Sequence, residues 1–169
     1  MVVNYDGSIL EVKEADGRDM IWRNFRGNPT KFSKNKMWFN IILPEEVALD
    51  LQDDGWKIRK NDKDPDDIFY TLQVNVNFNY KPLQVFRISN GRMVSLDRET
   101  ASGLDYDKIK GFECVIMAYR KPDIFDGVSA SLETLWVEVI RSDLYDKYAM
   151  YEDNNRHIDK DDVEEVPFE

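Results

Sequence analysis

The sequence predicts a mainly β protein, a small closed or partly open barrel with one inserted helix. Apolar and polar residues alternate without a break from residue 70 to residue 80, which is typical of a half-buried strand. Several shorter segments are rich in β-branched and aromatic residues, whereas only one segment has the pattern of a solid helix. The chain of 169 residues suits one domain of ordinary size with an appendage.

The predicted elements follow one another along the chain. Strands are expected at residues 20–26, 37–43, 70–80, 83–88, 112–119 and 132–140. A helix is expected to begin at Pro44, because proline fits the first helical position and Glu45 and Glu46 then lie at the positive end of the helix dipole. Gly55 is the expected helix stop. Residues 98–104 are a candidate for a second, short helix.

The composition excludes several classes of protein. A single cysteine excludes a disulfide framework, and a single histidine excludes a multi-histidine metal cluster. No apolar run approaches the roughly 20 residues of a membrane span, and no secretory signal is visible. We find no glycine-rich phosphate loop, and His157 has no recognisable nucleophile partner. We therefore expect a soluble cytoplasmic protein with no metal, no cofactor and no enzymatic activity.

The net charge of −10 is unevenly distributed. Residues 143–169 hold ten acids and three bases, a net of −7, which leaves residues 1–142 (the body) with a net of only −3. Within the body, residues 18–39 hold six bases and one acid. Such asymmetry suggests a polyanion partner and a tail that competes with it. We expect residues 1–150 to form the domain and residues 151–169 a disordered acidic tail.

Residues 18–39 interleave aromatic residues with cations, the combination that single-stranded nucleic acid requires, and residues 56–60 repeat the pattern on a smaller scale. Cations neutralise phosphates and flat side chains stack on unpaired bases. The opposing interpretation is a strand pair whose aromatics are core, and the sequence does not sort the rings. The candidate phosphate contacts are Arg18, Arg23, Arg26, Lys31, Lys34, Lys36, Lys57 and Arg59, and the candidate stacking residues are Trp22, Phe25, Phe32, Trp38 and Trp56.

The pattern of residues 161–168 predicts a docking motif. A solvated tail has no need of a terminal aromatic residue, whereas a ring that fills an apolar pocket while acids meet its basic rim makes a short recognition peptide. An incidental acidic tail is the alternative. The candidate docking residues are Asp161, Asp162, Glu164, Glu165, Val166, Pro167 and Phe168.

These residues bear a resemblance to a known family. The tail resembles the acidic tip of bacterial single-stranded DNA-binding proteins, with Val166, Pro167 and Phe168 in the family's order and Glu169 as a departure from its terminal Phe. The body resembles phage-encoded single-stranded DNA-binding proteins of the OB-fold in short stretches. These stretches are Trp22-Arg-Asn-Phe25, Leu43-Pro-Glu-Glu, Asp54-Gly-Trp-Lys-Ile58, Tyr70-Thr-Leu-Gln-Val, Lys108-Ile-Lys and Leu135-Trp-Val-Glu-Val.

The resemblance implies an OB-like domain that coats single-stranded DNA without sequence preference in phage replication or recombination. It also implies a location in the bacterial host cytoplasm and recruitment of replication proteins by the tail. The main rival is an acidic DNA mimic that occupies a host groove. A mimic predicts rows of acids over the folded body, whereas here the acids gather at the end. A virion structural protein is a third possibility. The sequence does not decide between a monomer and a homodimer.

Overall fold

The computed structural model describes residues 1–28, 35–120, 127–142, 144–145 and 147–148. Within these ranges the chain forms ten strands and one α-helix. The elements are β1 (Val2–Tyr5), β2 (Ile9–Asp16), β3 (Met20–Asn24), β4 (Met37–Leu43), α1 (Glu45–Asp53), β5 (Ile58–Asn61), β6 (Phe69–Val76), β7 (Gln84–Ser89), β8 (Arg92–Leu96), β9 (Lys108–Arg120) and β10 (Val128–Ile140). Two 3₁₀ helices, Gly17–Asp19 and Thr100–Asp105, lie between strands.

All ten strands belong to one sheet, whose main path runs β1-β2-β9-β10-β6-β4-β3. The two longest strands, β9 and β10, pair antiparallel along their whole length. The other edge of β10 pairs in parallel first with β6, at Ala130 and Ser131, and then with β7, from Thr134 onward. In the described ranges the two end strands of this path, β1 and β3, do not pair with each other, so the sheet is not closed. This mainly β arrangement with one inserted helix is consistent with an OB-like fold and confirms the predicted fold class.

The core lies on one face of the sheet and follows the alternation read from the sequence. In β6, Leu72 and Val74 are buried while Gln73 and Asn75 are exposed. The ring of Phe25 stacks on that of the buried Phe39, with 5.5 Å between centroids. Each such buried aromatic side chain removes a large apolar area from water, which stabilises the fold.

The predicted helix and strands are largely confirmed, with shifted ends. Pro44 is the N-cap residue rather than the first helical residue, and Gly55, with a φ of 92°, donates its N–H to Gln52 at the helix end. Only Gly accepts such a φ without strain. The strand predicted at residues 20–26 ends at Asn24, and the short helix predicted at 98–104 is the 3₁₀ helix Thr100–Asp105.

The strand predicted for residues 70–80 is wrong in its second half, because β6 ends at Val76. Asn77 begins a turn there: its side-chain oxygen accepts from the N–H of Asn79 at 3.0 Å, and its carbonyl accepts from the N–H of Tyr80 at 3.0 Å. This local bonding of an asparagine replaces ladder bonds despite the unbroken alternation. Strands β1, β2, β5 and β8 were not predicted. In the described part of the chain, no helix has the length and apolarity to cross a membrane.

Candidate nucleic-acid interface

The side of the sheet opposite the core carries a polar surface on β5, β6, β4 and β3. On β6 and β4 the registered pairs Asn75 with Trp38 and Gln73 with Asn40 place their side chains on this side. We call this surface the outer face. Its described side chains are Ile21, Trp22, Trp38, Asn40, Ile42, Arg59, Asn61, Phe69, Thr71, Gln73 and Asn75.

Trp22 reaches the outer face because β3 is irregular at that point. The register with β4 shifts between Ile21 and Asn24, and Trp22 has a φ of 47°, in the left-handed region that a bulky residue rarely adopts. The side chain of Asn40 donates to the carbonyl of Trp22 at 3.4 Å and so supports the irregular backbone. The indole is left 50% exposed. Bulges that re-aim a side chain, and backbone strain of this kind, occur preferentially at functional sites.

Trp22 forms a cluster with a second ring and a cation. Its ring centroid lies 6.1 Å from that of Phe69 at an interplanar angle of 45°, and the Arg59 guanidinium carbon lies 5.7 Å from the Trp22 centroid. We call these three residues the Trp22 cluster. A cation over an indole face holds the ring in place and adds about 0.5–1 kcal/mol at an exposed site. The cluster thus offers a flat apolar surface beside a positive charge.

Phe69 is a candidate site residue that the sequence analysis missed. It begins β6 with the same parity as Thr71, Gln73 and Asn75, and so belongs to the outer face. The alternation in this segment could have identified Phe69, because odd-numbered residues from 69 to 75 share one face of the strand. The prediction began the strand at Tyr70, which excluded the residue before it.

The outer face carries no carboxylate among its described residues, and its charge is that of Arg59. A second aromatic pair gives the contrast. Phe86 and Trp136 stack at 6.3 Å on β7 and β10, but Glu113 lies directly opposite Trp136 in the ladder, and Glu138 and Lys110 form an ion pair at 3.5 Å nearby. Carboxylates repel phosphates, so the Trp22 cluster is the better surface for a nucleic acid.

The structure brings a subset of the predicted residues together. Trp22 and Arg59 are in contact, and Trp38 lies on the same face, partly buried. Lys36 and Lys57 are exposed directly before β4 and β5. These five residues stay candidates for contact with DNA.

Two predicted stacking residues belong to the core, which corrects their assignment. Phe25 is fully buried, and Trp56 is 2% exposed with its ring N–H donating to the hydroxyl of Tyr5 at 2.9 Å. Neither ring offers a face to a base. The sequence places both beside cations, but ring burial depends on strands that are distant in sequence, namely β4 for Phe25 and β1 for Trp56.

Three predicted cations already have partners in the protein. The Arg23 guanidinium donates to the carbonyls of Leu104 and Asp107 at 2.6 and 2.8 Å, so it ties β3 to the 3₁₀ helix and is not free for phosphate. Arg18 forms an ion pair with Asp16 at 3.2 Å. The Arg26 guanidinium contacts the ring and the hydroxyl of Tyr106, which is not part of the Trp22 cluster.

The remaining predicted site residues lie outside the described ranges. They are Lys31, Phe32 and Lys34, between β3 and β4, and the tail residues Asp161, Asp162, Glu164, Glu165, Val166, Pro167 and Phe168. Their assignments stay predictions.

The single cysteine has no place in this surface. Cys114 is 1% exposed on the core side of β9, and burial raises the pKa of its thiol far above the ordinary value. Cys114 is therefore a buried structural thiol.

Comparison with known proteins identifies one family. Residues 7–167 match the model of the family described as "Putative phage ssDNA-binding domain". No curated protein sequence matches the chain. A solved structure, the single-stranded DNA-binding protein from bacteriophage Enc34 in a C-terminal truncation, is similar at 10% identity and a TM-score of 0.47, over 83% of this chain and 96% of that one.

Proposed function

The chain belongs to the family of phage ssDNA-binding domains, and we propose that it coats single-stranded DNA through the outer face, without sequence preference. The observation that carries the proposal is the Trp22 cluster, where a half-exposed indole is held on a strained bulge beside Phe69 and Arg59. An apolar ring displayed at such cost is explained by a ligand that stacks on it.

The chemistry of the outer face suits unpaired bases. Base–aromatic stacking contributes roughly 1–3 kcal/mol per base and tolerates every sequence, because each base has a flat face. The exposed amides of Gln73 and Asn75 donate and accept hydrogen bonds, so they satisfy the edges of any base or its bound water. Duplex DNA hides its base faces in the stack, so this surface favours single strands.

The finer role that we propose is protection of single strands during phage replication or recombination, with recruitment of replication proteins by the acidic tail. The net charge of −7 in residues 143–169 and the terminal Val166-Pro167-Phe168 support this role. The ring of Phe168 would enter an apolar pocket of the partner, and the acids would contact its basic rim.

Titration of a fluorescent oligo-dT, at low and at moderate salt, tests the DNA-binding proposal. We expect saturable binding that weakens with salt, and weaker binding of a duplex of equal length. Equal affinity for the duplex, or no binding to oligo-dT at low salt, would contradict it.

Binding of a replication or recombination protein to the full chain tests the docking role. Phe168→Ala keeps every charge and should lower partner binding while leaving DNA affinity unchanged. Deletion of Glu169 alone is the matched variant and should strengthen partner binding if the pocket recognises a terminal Phe carboxylate. Partner binding that is indifferent to Phe168→Ala would reduce the tip to a solubility tail.

A further inference from the structure

A row of outer-face side chains continues across the sheet beyond β4 and β6. Trp38 on β4 is registered with Asn75 on β6, Asn75 with Ser131 on β10, and Ser131 with Met117 on β9. Residues that are registered in neighbouring strands present their side chains on the same face. The outer face therefore extends without interruption from the strands of the Trp22 cluster to β9.

Two tyrosines stand at the far end of this row. Tyr119, two residues after Met117 on β9 and hence on the same face, is 53% exposed. Tyr80, in the turn after β6, is 40% exposed, and its hydroxyl lies 3.5 Å from the sulfur of Met117. A thioether against an aromatic side chain is a favourable contact that positions the ring. Tyr80, Met117 and Tyr119 thus form a second aromatic surface, which we call the Tyr119 platform.

The Tyr119 platform, like the outer face around the Trp22 cluster, has no carboxylate registered directly beside it. The described residues registered beside it are Ser129 and Ser131 on β10 and Ile9 on β2, and none of them is charged. Acids follow on one side of the row only: Glu133 at the irregularity of β10, Glu11 opposite Val115, and Glu113 opposite Trp136. The row from Trp38 through Asn75 and Ser131 to Met117 is itself uncharged, so its side chains do not repel a phosphate backbone.

We propose that the Tyr119 platform is a second stacking site, so that a single strand of DNA crosses β4, β6, β10 and β9 from the Trp22 cluster to Tyr119. This inference rests on the proposed function of the outer face. Strands are spaced about 4.8 Å apart, so Trp38 and Met117, three strand steps apart, are separated by about 14 Å along the sheet. A single base cannot contact both surfaces, and a strand of several nucleotides can.

Oligo-dT length separates the two sites. An oligomer of about 4 nucleotides and one of about 12 nucleotides bracket much of the site-size range of a single OB-type domain. Trp22→Ala should weaken binding of both oligomers, because even a short oligomer needs the Trp22 cluster, where aromatic rings and the Arg59 cation lie together. Tyr119→Ala should weaken the longer oligomer about 5- to 150-fold, the range of one lost stacking contact, and leave the shorter one unchanged. Tyr119→Phe keeps the ring and should restore the affinity.

Tyr145→Ala is the matched control, since Tyr145 is also exposed, at 62%, but its ring faces Arg141 after the end of β10. It should bind both oligomers as the unmodified chain does. If Trp22→Ala weakens binding but Tyr119→Ala weakens neither oligomer, the second site is refuted and the first stands. If Trp22→Ala has no effect, the proposed function itself fails. If Tyr119→Ala leaves binding unchanged but alters the sedimentation mass, the platform is a contact between copies, and the inference is overturned.

Discussion

Replacement of Trp22 by glycine is the most direct perturbation of the candidate interface. The variant removes the indole that contacts Phe69 and Arg59. It also suits the backbone, because glycine adopts the observed φ of 47° without strain. Loss of the ring is thereby separated from damage to the bulge. Trp22→Ala removes the same ring but keeps a Cβ at the positive φ, so the two variants form a matched pair.

The expected magnitudes follow from the exposure of the ring. Loss of one stacking contact costs roughly 1–3 kcal/mol, which is a 5- to 150-fold weaker oligo-dT complex. Truncation of a fully buried Phe or Trp costs about 3–5 kcal/mol of unfolding free energy. Since the indole is 50% exposed, we expect roughly half of that, about 1.5–2.5 kcal/mol, for Trp22→Ala. The glycine variant should be more stable than the alanine variant by on the order of 1 kcal/mol, because only alanine is strained there.

Fluorescence anisotropy with labelled oligo-dT, and urea unfolding of the same samples, measure the two quantities. Trp56→Phe is the control, because Trp56 is core and its loss should lower stability but leave the affinity of the folded protein unchanged. Folded Trp22→Gly and Trp22→Ala proteins that bind oligo-dT as tightly as the unmodified chain would refute Trp22 as a stacking residue. A glycine variant less stable than the alanine variant would refute the strain.

Three further outcomes are expected. If two or three of Arg59, Lys36 and Lys57 contact phosphates, log affinity should fall with log salt at a slope of about −1.4 to −2.1, and Arg59→Gln should reduce its steepness by about 0.7; an unchanged slope would exclude Arg59. Deletion of residues 159–169 should tighten oligo-dT binding several-fold at low salt and less at high salt, because a tethered polyanion competes at millimolar effective concentration; unchanged affinity at low salt would exclude competition. Burial raises the pKa of the Cys114 thiol, so the folded protein should resist alkylation at mildly alkaline pH and should react in urea. The free energy of unfolding should fall as the pH rises through the ordinary thiol pKa, because only the unfolded chain loses the proton there. Rapid alkylation of the folded protein would contradict this.

The sequence predicted the regular elements because their signals are local. The alternation around Gln73 and the Pro44-Glu45-Glu46 start depend on residues that are close in the chain. The sequence did not predict which cations bind partners within the protein. Arg23 and Arg26 look alike in the sequence, yet Arg23 is held by carbonyls about eighty residues away, at Leu104 and Asp107. Partners that distant have no signature in the local pattern.

The sorting of the aromatic residues shows the same limit. Met20, Ile21 and Trp22 are consecutive apolar residues, so no alternation assigns Trp22 to a face. The bulge in β3 places Trp22 on the outer face, and the bulge depends on the pairing with β4 and on the hydrogen bond that Asn40 donates. Phe69 was within reach, since it continues the parity of the polar side of β6. Its omission reflects an error of one residue in the start of the strand.

The charge of the molecule indicates which forces dominate at the interface. The body has a net charge of −3, so its overall field does not attract a polyanion, and of the cations predicted in residues 18–39, Arg23 and Arg18 are held by protein partners. Among the described residues, Arg59 lies on the outer face and Lys36 and Lys57 are exposed directly before β4 and β5, so we expect phosphate attraction to be local to these cations. If the proposed interface is right, we expect stacking at the Trp22 cluster to supply much of the binding free energy. Because stacking requires exposed base faces, we expect a binding dominated by stacking to be only moderately sensitive to salt and to favour single strands over duplex.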